Sequence, residues 1–382
     1  MRLKKTPGFK NLSLMGISNL TGNAISGFFW LYIANILSEE SYGELGYLVS
    51  ISVLTANIAL IGGEYVMAVY TAKKQNLQPL IYLISLISGI IGAIVLFIIF
   101  NNSIIGLYAI GFIIFNLTMA ELQGQKAFNL YSKNFLLQKI LFIVFSLGLY
   151  FILENQGILL GIALSYFPFF KRMYISIKTK QFEFKLFKQK SGFIFNNYLI
   201  DLSGSFRGQI DKLIIAPMFG FAILGNYFLG LQIISILSIL PGVIFTYILP
   251  MDSTGSSTKN IKILAIIGSF ILCICGITLS PHLTPLLFPQ YDESNDFIPI
   301  LSISIIPFTI GSILTSKFLA LEKSIYITIG NLISATVFIS TILLLIEVFP
   351  VIVLAIAYVS SIIFQTVFLG ISYLLKKSSL EI

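Results

Sequence analysis

The sequence predicts an all-α integral membrane protein with about twelve transmembrane helices in two pseudo-symmetric six-helix bundles. Three observations lead there. The composition is too apolar for a water-soluble chain: 57% of the 382 residues are hydrophobic and 10% are charged, with a mean hydropathy of +0.94, whereas a soluble domain carries about 25% charge. Apolar runs recur from end to end, each near the roughly 20 residues needed to cross a bilayer. Between those runs the basic residues fall almost entirely on alternate loops.

The runs follow in order. A basic start, MRLKKTPGFK, precedes an apolar stretch too long for a signal-peptide core and without a clear cleavage site, so it reads as a retained terminus followed by the first span, 12–37. The second span, 45–70, carries Glu64 behind Gly62 and Gly63, a pair that allows close packing or a break. The third is 80–100, and the fourth, 104–122, is interrupted by Asn116 and Glu121. Spans 135–153 and 158–175 complete the first half, 1–177, and a basic linker at 178–190 leads to the second half, 191–382. There the charged span 197–217 is followed by 222–249, 263–279, 297–319, 325–346 and 351–375.

The charges test this division. All but two of the 24 lysines and arginines lie on one side of the alternating spans: at the N-terminus, at Lys73 and Lys74, at Lys126, Lys133 and Lys139, in the 171–190 segment, and in the later loops on that side through Lys377. The opposite loops hold Glu39, Glu40, Glu44, Glu154, Asp292, Glu293, Asp296 and Glu347. The positive-inside rule puts both termini in the cytoplasm. The net charge of +8 is therefore topology and not a nucleic-acid footprint. Cys273 and Cys275 point to different helix faces and read as small buried hydrophobes, and no metal-ligand spacing occurs.

A shift of 182 residues lays 20–43 over 202–225, with Leu20, Gly22, Leu31, Ile33, Ala34 and Gly43 finding identical partners. This pairs the first span with the seventh, as expected for parallel repeats about an axis along the membrane normal.

The two exceptions to the charge rule are Arg207 and Lys212, in the stretch NYLIDLSGSFRGQIDKLIIAP together with Asp201 and Asp211. A charge near the bilayer centre costs a few to more than ten kcal/mol and persists only beside a partner or a polar cavity. Arg207 and Asp211, four apart, are expected to share a helix face and pair. Asp201 and Lys212 fall on a second stripe. Asn19, Asn23, Ser26 and Trp30 form a stripe on the first helix, a candidate cavity face opposite Arg207. Glu64 is the candidate for binding a coupling H+ or Na+. Glu121 and Lys126 are expected as a solvated pair at a helix end, and His282 as a surface residue near the opposite end.

The segments IANILSEESYGELGYLVSIS, ALIGGEYVMAVYTAKK, DKLIIAPMFGFAILGNYFLGLQI and LLFPQYDESNDFIPILSISIIP resemble polysaccharide transporters of the multidrug/oligosaccharidyl-lipid/polysaccharide (MOP) exporter superfamily, among them the Wzx-type O-antigen flippases. The resemblance implies a MATE-like fold around a central cavity. It implies an activity that is not enzymatic: movement of a polyprenyl- or dolichyl-pyrophosphate-linked oligosaccharide across the plasma membrane, with no resident cofactor. Its partners would be that lipid-linked glycan, membrane lipids and glycan-assembly proteins. Arg207 and Lys212, with Asp211, Asp201 and Asn23, would form the pyrophosphate and cavity site. Two departures stand out: the chain is short for the family, and its first helix carries no charge. A cation-coupled multidrug extruder of the same superfamily is the nearest rival. A major-facilitator transporter lacks its Asp-Arg and glycine-rich signature in TAKKQNLQ. A glycan polymerase or glycosyltransferase would need a catalytic outer loop that 280–296 does not offer.

Overall fold

The computed structural model describes residues 7–61, 63–179, 181–239, 242, 248, 252, 258–321 and 323–380, and these are helical throughout apart from short turns. The first half contains α1 (Pro7–Ile36), α2 (Glu39–Ala59), α3 (Gly63–Ala72), α4 (Gln78–Phe100), α5 (Ser103–Gly124), α6 (Phe128–Leu164) and α7 (Phe170–Thr179). A short α8 (Phe184–Gln189) lies in the basic linker. The second half contains α9 (Ser191–Phe219), α10 (Phe221–Leu237), α11 (Lys259–Leu287), α12 (Ser294–Ser302), α13 (Ile305–Ala320), α14 (Ile325–Leu345) and α15 (Val353–Leu380).

Each of the twelve expected spans is represented by a helix. Two are bent: α2 and α3 meet at 47°, and α12 and α13 at 42°. The fifth span and the first part of the sixth are the arms of a hairpin within α6, and the sixth continues into α7. The reversal is at Glu154, whose backbone takes φ 51 and ψ −134. Beyond it the arms close tightly, because Gly157 lies against the Leu149 carbonyl and Gly161 against the Ser146 backbone. Ser146 Oγ also donates to Ile158 O at 3.2 Å. Any side chain at Gly157 or Gly161 would collide with backbone, so small residues set this contact. Most of the eighth span beyond Leu237 lies outside the described residues.

The chain forms two compact units. The first comprises 1–26 and 48–205, the second 27–47 and 206–382. The helices α1 and α9 thus each contribute to both, dividing after Ser26 and after Ser205.

In the first unit α5 is the central helix, packed against α3, α4, α6 and α7. Of its apolar window 67% is buried, against 17% for α4, whose outward isoleucines form an apolar face suited to lipid. The polar residues of α5 have partners, and this corrects one expectation. Glu121 is not a solvated partner of Lys126; it is 2% exposed and bound by Tyr82, Gln125 and Arg172. A carboxylate there is tolerated because both oxygens accept hydrogen bonds and one meets the Arg172 cation.

In the second unit a core of Ile215, Leu224, Tyr227, Phe297, Leu301, Phe338 and Leu354 joins α9, α10, α12, α14 and α15. Residues 27–47 are fastened to it. Gln290 Nε2 donates to Ala34 O at 3.0 Å, and Asn226 Nδ2 donates to Glu39 Oε2 at 2.6 Å. Trp30 packs edge-on against Phe228 and Tyr42. Trp30 therefore serves aromatic packing, and the stripe expected on the first helix is shared out between the two units.

Candidate functional site

The charged helix α9 carries its polar residues on two separate sites. In the second unit Arg207 is half-buried, and its Nε lies 3.4 Å from Ser334 Oγ on α14. The guanidinium lines a cavity of about 60 Å³ with Ser312 of α13 and Gln365 and Thr366 of α15. Gln365 Nε2 is oriented by Asn331 Oδ1 at 2.9 Å. Arg207 thus has hydroxyl and amide neighbours and no carboxylate within ion-pair distance among the described residues; Asp211 and Tyr358 act on it only at longer range. A guanidinium held this way keeps most of its donor fork available for a planar anion.

The expected Arg207–Asp211 pair does not form. Asp211 Oδ1 instead accepts from the Nζ of its neighbour Lys212 at 2.8 Å and from the Lys212 backbone N–H at 2.8 Å. Its Oδ2 accepts from Tyr227 Oη at 3.1 Å. Lys212 completes its bonding at Gly208 O, 3.1 Å away. Both residues are buried, at 5% and 7% exposure. The long lysine stem lets the ammonium curl back along its own helix, and the fixed Tyr227 hydroxyl draws the carboxylate toward α10 and away from Arg207. Lys212 is consequently neutralised where it stands.

Asp201 belongs to the first unit, against the start of α3. Its carboxylate is so close to the Gly63 Cα that a Cβ there would collide with it, and Gly63 sits at φ 58. Glycine is required at this position on both counts. Asp201 also lies close enough to Glu64 to act on it electrostatically. Both acids thus lie at the N-terminal end of α3, where the helix dipole favours negative charge. On α1, Asn19 Oδ1 accepts from Tyr131 Oη at 3.2 Å, while Asn23 is exposed.

Sequence reasoning missed Lys139. Counted there as a loop residue, it lies inside the first arm of α6, half-buried, with its Nζ 5.3 Å from the Phe135 ring centre. Gly22 of α1 packs on Phe135 and on the Lys139 stem. The signal was available: the helix begins at Phe128, about 16 Å of helix before Lys139 at 1.5 Å per residue. No cluster of three or more metal-ligating side chains occurs among the described residues.

No protein-family model matches the chain, and no curated protein matches it. Solved structures do. An inward-facing multidrug resistance MATE family transporter of the MOP superfamily aligns at TM-score 0.64 and 12% identity, over 95% of this chain and 94% of that one. MATE in complex with MaL6 aligns at 0.66 and 11%, over 97% of both. A MOP superfamily transporter from Pyrococcus furiosus, described as having a binding pocket of reverse polarity, aligns at 0.59 and 11%, over 98% and 96%. The chain has the fold of these transporters over 95–98% of its length, and its apolar helices are those of a multi-pass membrane protein.

Proposed function

We propose that this protein is a flippase that moves a polyprenyl- or dolichyl-pyrophosphate-linked oligosaccharide across the plasma membrane by alternating access, for assembly of a cell-surface glycan. The observation that carries the reading is Arg207: a permanent cation at the depth of a membrane span, beside Ser312, Gln365 and Thr366, with no carboxylate within ion-pair distance among the described residues. Such a group is stable when an anion visits it. A diphosphate offers several oxygens to the guanidinium fork, while its sugar is polar and its polyprenyl tail remains in lipid. Asp211 and Lys212 stand next to it as a closed pair, and an arriving diphosphate would compete for the lysine. The description of the Pyrococcus furiosus neighbour supports the premise that pocket polarity varies within this fold. Both termini lie in the cytoplasm in this reading, following the lysine distribution.

A second reading, a cation-coupled extruder, is favoured by one observation: the Asp201 and Glu64 carboxylates near the start of α3. The two readings also combine, the acids taking a coupling H+ or Na+ while Arg207 takes the cargo. In a host lacking its own flippase the wild-type protein is expected to restore surface glycan, and Arg207→Ala to abolish this at unchanged membrane levels. Full activity of the Ala variant removes the diphosphate role. Drug efflux lost in Asp201→Asn and Glu64→Gln, without any glycan phenotype, establishes the extruder.

A further inference from the structure

The first unit holds a larger cavity that neither reading uses. Its volume is about 420 Å³, and it lies where the end of α5, the start of α6 and α7 meet. Its charged wall is fixed in place. Glu121 accepts from Tyr82 Oη at 3.1 Å, Gln125 Nε2 at 3.2 Å and Arg172 Nε at 3.0 Å. Arg172 Nη2 donates in turn to Gln125 Oε1 at 2.6 Å. The one carboxylate among the described lining residues thus already accepts three hydrogen bonds, while a guanidinium has five N–H donors and spends two of them here.

Of the other polar groups in the lining, Thr118 and Thr179 are hydrogen-bonded to Tyr82 and to Ile175 O, and three are unengaged among the described residues. The Asn134 amide and the exposed Lys171 ammonium have no protein partner, and the Ser176 hydroxyl makes no hydrogen bond although the residue is only 3% exposed. Two cations, one spent acid and two neutral hydrogen-bonding groups describe an anion site with room beside the charge for hydroxyls. The pocket is also open to apolar surroundings: Leu137 and Ile175 line it and are 38% and 47% exposed. On the adjacent turns Phe167 and Tyr174 are 71% and 60% exposed. Aromatic residues interleaved with lysines mark a segment at the headgroup level of a bilayer.

We propose that this pocket binds the phosphodiester headgroup of an anionic phospholipid of the phosphatidylglycerol class. Arg172 and Lys171 meet the phosphate, Asn134 and Ser176 the glycerol hydroxyls, and the acyl chains leave past Leu137 and Ile175. Basic pockets between spans on the cytoplasmic side of a membrane take such headgroups. The site is independent of the cargo carried at Arg207.

Native mass spectrometry of the delipidated full-length protein, titrated with phosphatidylglycerol, phosphatidylcholine or inorganic phosphate, tests the assignment. One phosphatidylglycerol is expected to be retained in preference to phosphatidylcholine, and inorganic phosphate is expected not to displace it. The double variant Asn134→Leu/Lys171→Ala leaves the Glu121–Arg172 pair intact and should lower retention roughly tenfold, since a lysine near the surface and a lost hydrogen bond together account for that factor. Lys133→Ala, on the same basic end but outside the pocket, should retain lipid as wild type does. Equal retention of the two lipids, an unaffected double variant, or an equal loss in Lys133→Ala would each overturn the proposal. Displacement by millimolar phosphate would assign the site to a soluble anion instead and overturn it as well.

Discussion

Gly43 and Gly225 pack reciprocally: a Cβ on Gly43 would strike the carbonyl oxygen of Phe221, and one on Gly225 would strike that of Glu39. Phe221 and Glu39 are the first residues of α10 and α2. Each glycine thus meets the residue that opens the other's helix, as two faces related by a two-fold axis must. Both pairs, 43 with 225 and 39 with 221, are spaced by the 182 residues that superpose 20–43 on 202–225. The faint repeat in the sequence is therefore matched by a symmetric contact in the fold.

A side chain at either glycine has nowhere to go, because the obstacle is backbone. Gly43→Val and Gly225→Val are each expected to cost about 3 kcal/mol or more, at the upper end of overpacking. Gly208→Ala is the control: nothing lies within 4 Å of the added Cβ, so the helix should be unchanged or slightly firmer. Thermal unfolding in detergent separates them. Valine variants that melt with the wild type would mean that the helices are not in contact.

The Asp211–Lys212 pair makes a sharper prediction. Removing one partner strands a buried charge, at a cost of about 3–5 kcal/mol. Asp211→Asn and Lys212→Met should therefore both lower the melting temperature and membrane levels, with the double variant recovering much of the loss. Transport measured in the double variant then reads the cargo role of Lys212 apart from its structural one. Wild-type transport there leaves Arg207 as the sole cation of the site.

What could be read from the sequence follows from what the bilayer enforces. Runs such as 80–100 and 325–346 must be helices because their backbone can be satisfied no other way in lipid, and they appear as α4 and α14. Partner choice is different, because it depends on residues brought together from afar. Glu121 looked solvated since Tyr82 and Arg172, which bury it, are distant in the chain. Spacing along α9 pointed to Arg207–Asp211, whereas Tyr227 on α10 and the flexible Lys212 stem decided otherwise. Lys139 escaped notice because it was counted with the loop lysines Lys126 and Lys133, although the span expected at 135–153 already contains it.

At Arg207 the geometry distinguishes charge from shape. Arg207→Lys keeps the cation but loses the planar fork that reaches two oxygens at once. Glycan transport is expected to fall by about tenfold, the loss of roughly one charge-assisted hydrogen bond. Arg207→Ala should remove transport altogether. A lysine variant as active as wild type would reduce the site to a simple point charge.

Asn226 supports the last prediction. It is fully buried, donates to Glu39 Oε2 at 2.6 Å and to Ala222 O at 3.1 Å, and accepts from the Ser294 backbone N–H at 3.0 Å. Asn226→Ala leaves a buried N–H and a carboxylate without partners, at about 1–3 kcal/mol each. Asn226→Asp should be worse still: it keeps the acceptor for Ser294 but sets two carboxylates against each other. Adding Glu39→Gln to Asn226→Asp restores a donor opposite the new acceptor, so this double variant should regain much of the lost melting temperature. Hydrogen exchange at the Ser294 amide should quicken in Asn226→Ala and remain slow in the double variant. An amide that exchanges alike in all of them would show that Asn226 does not fasten residues 27–47 to the second unit.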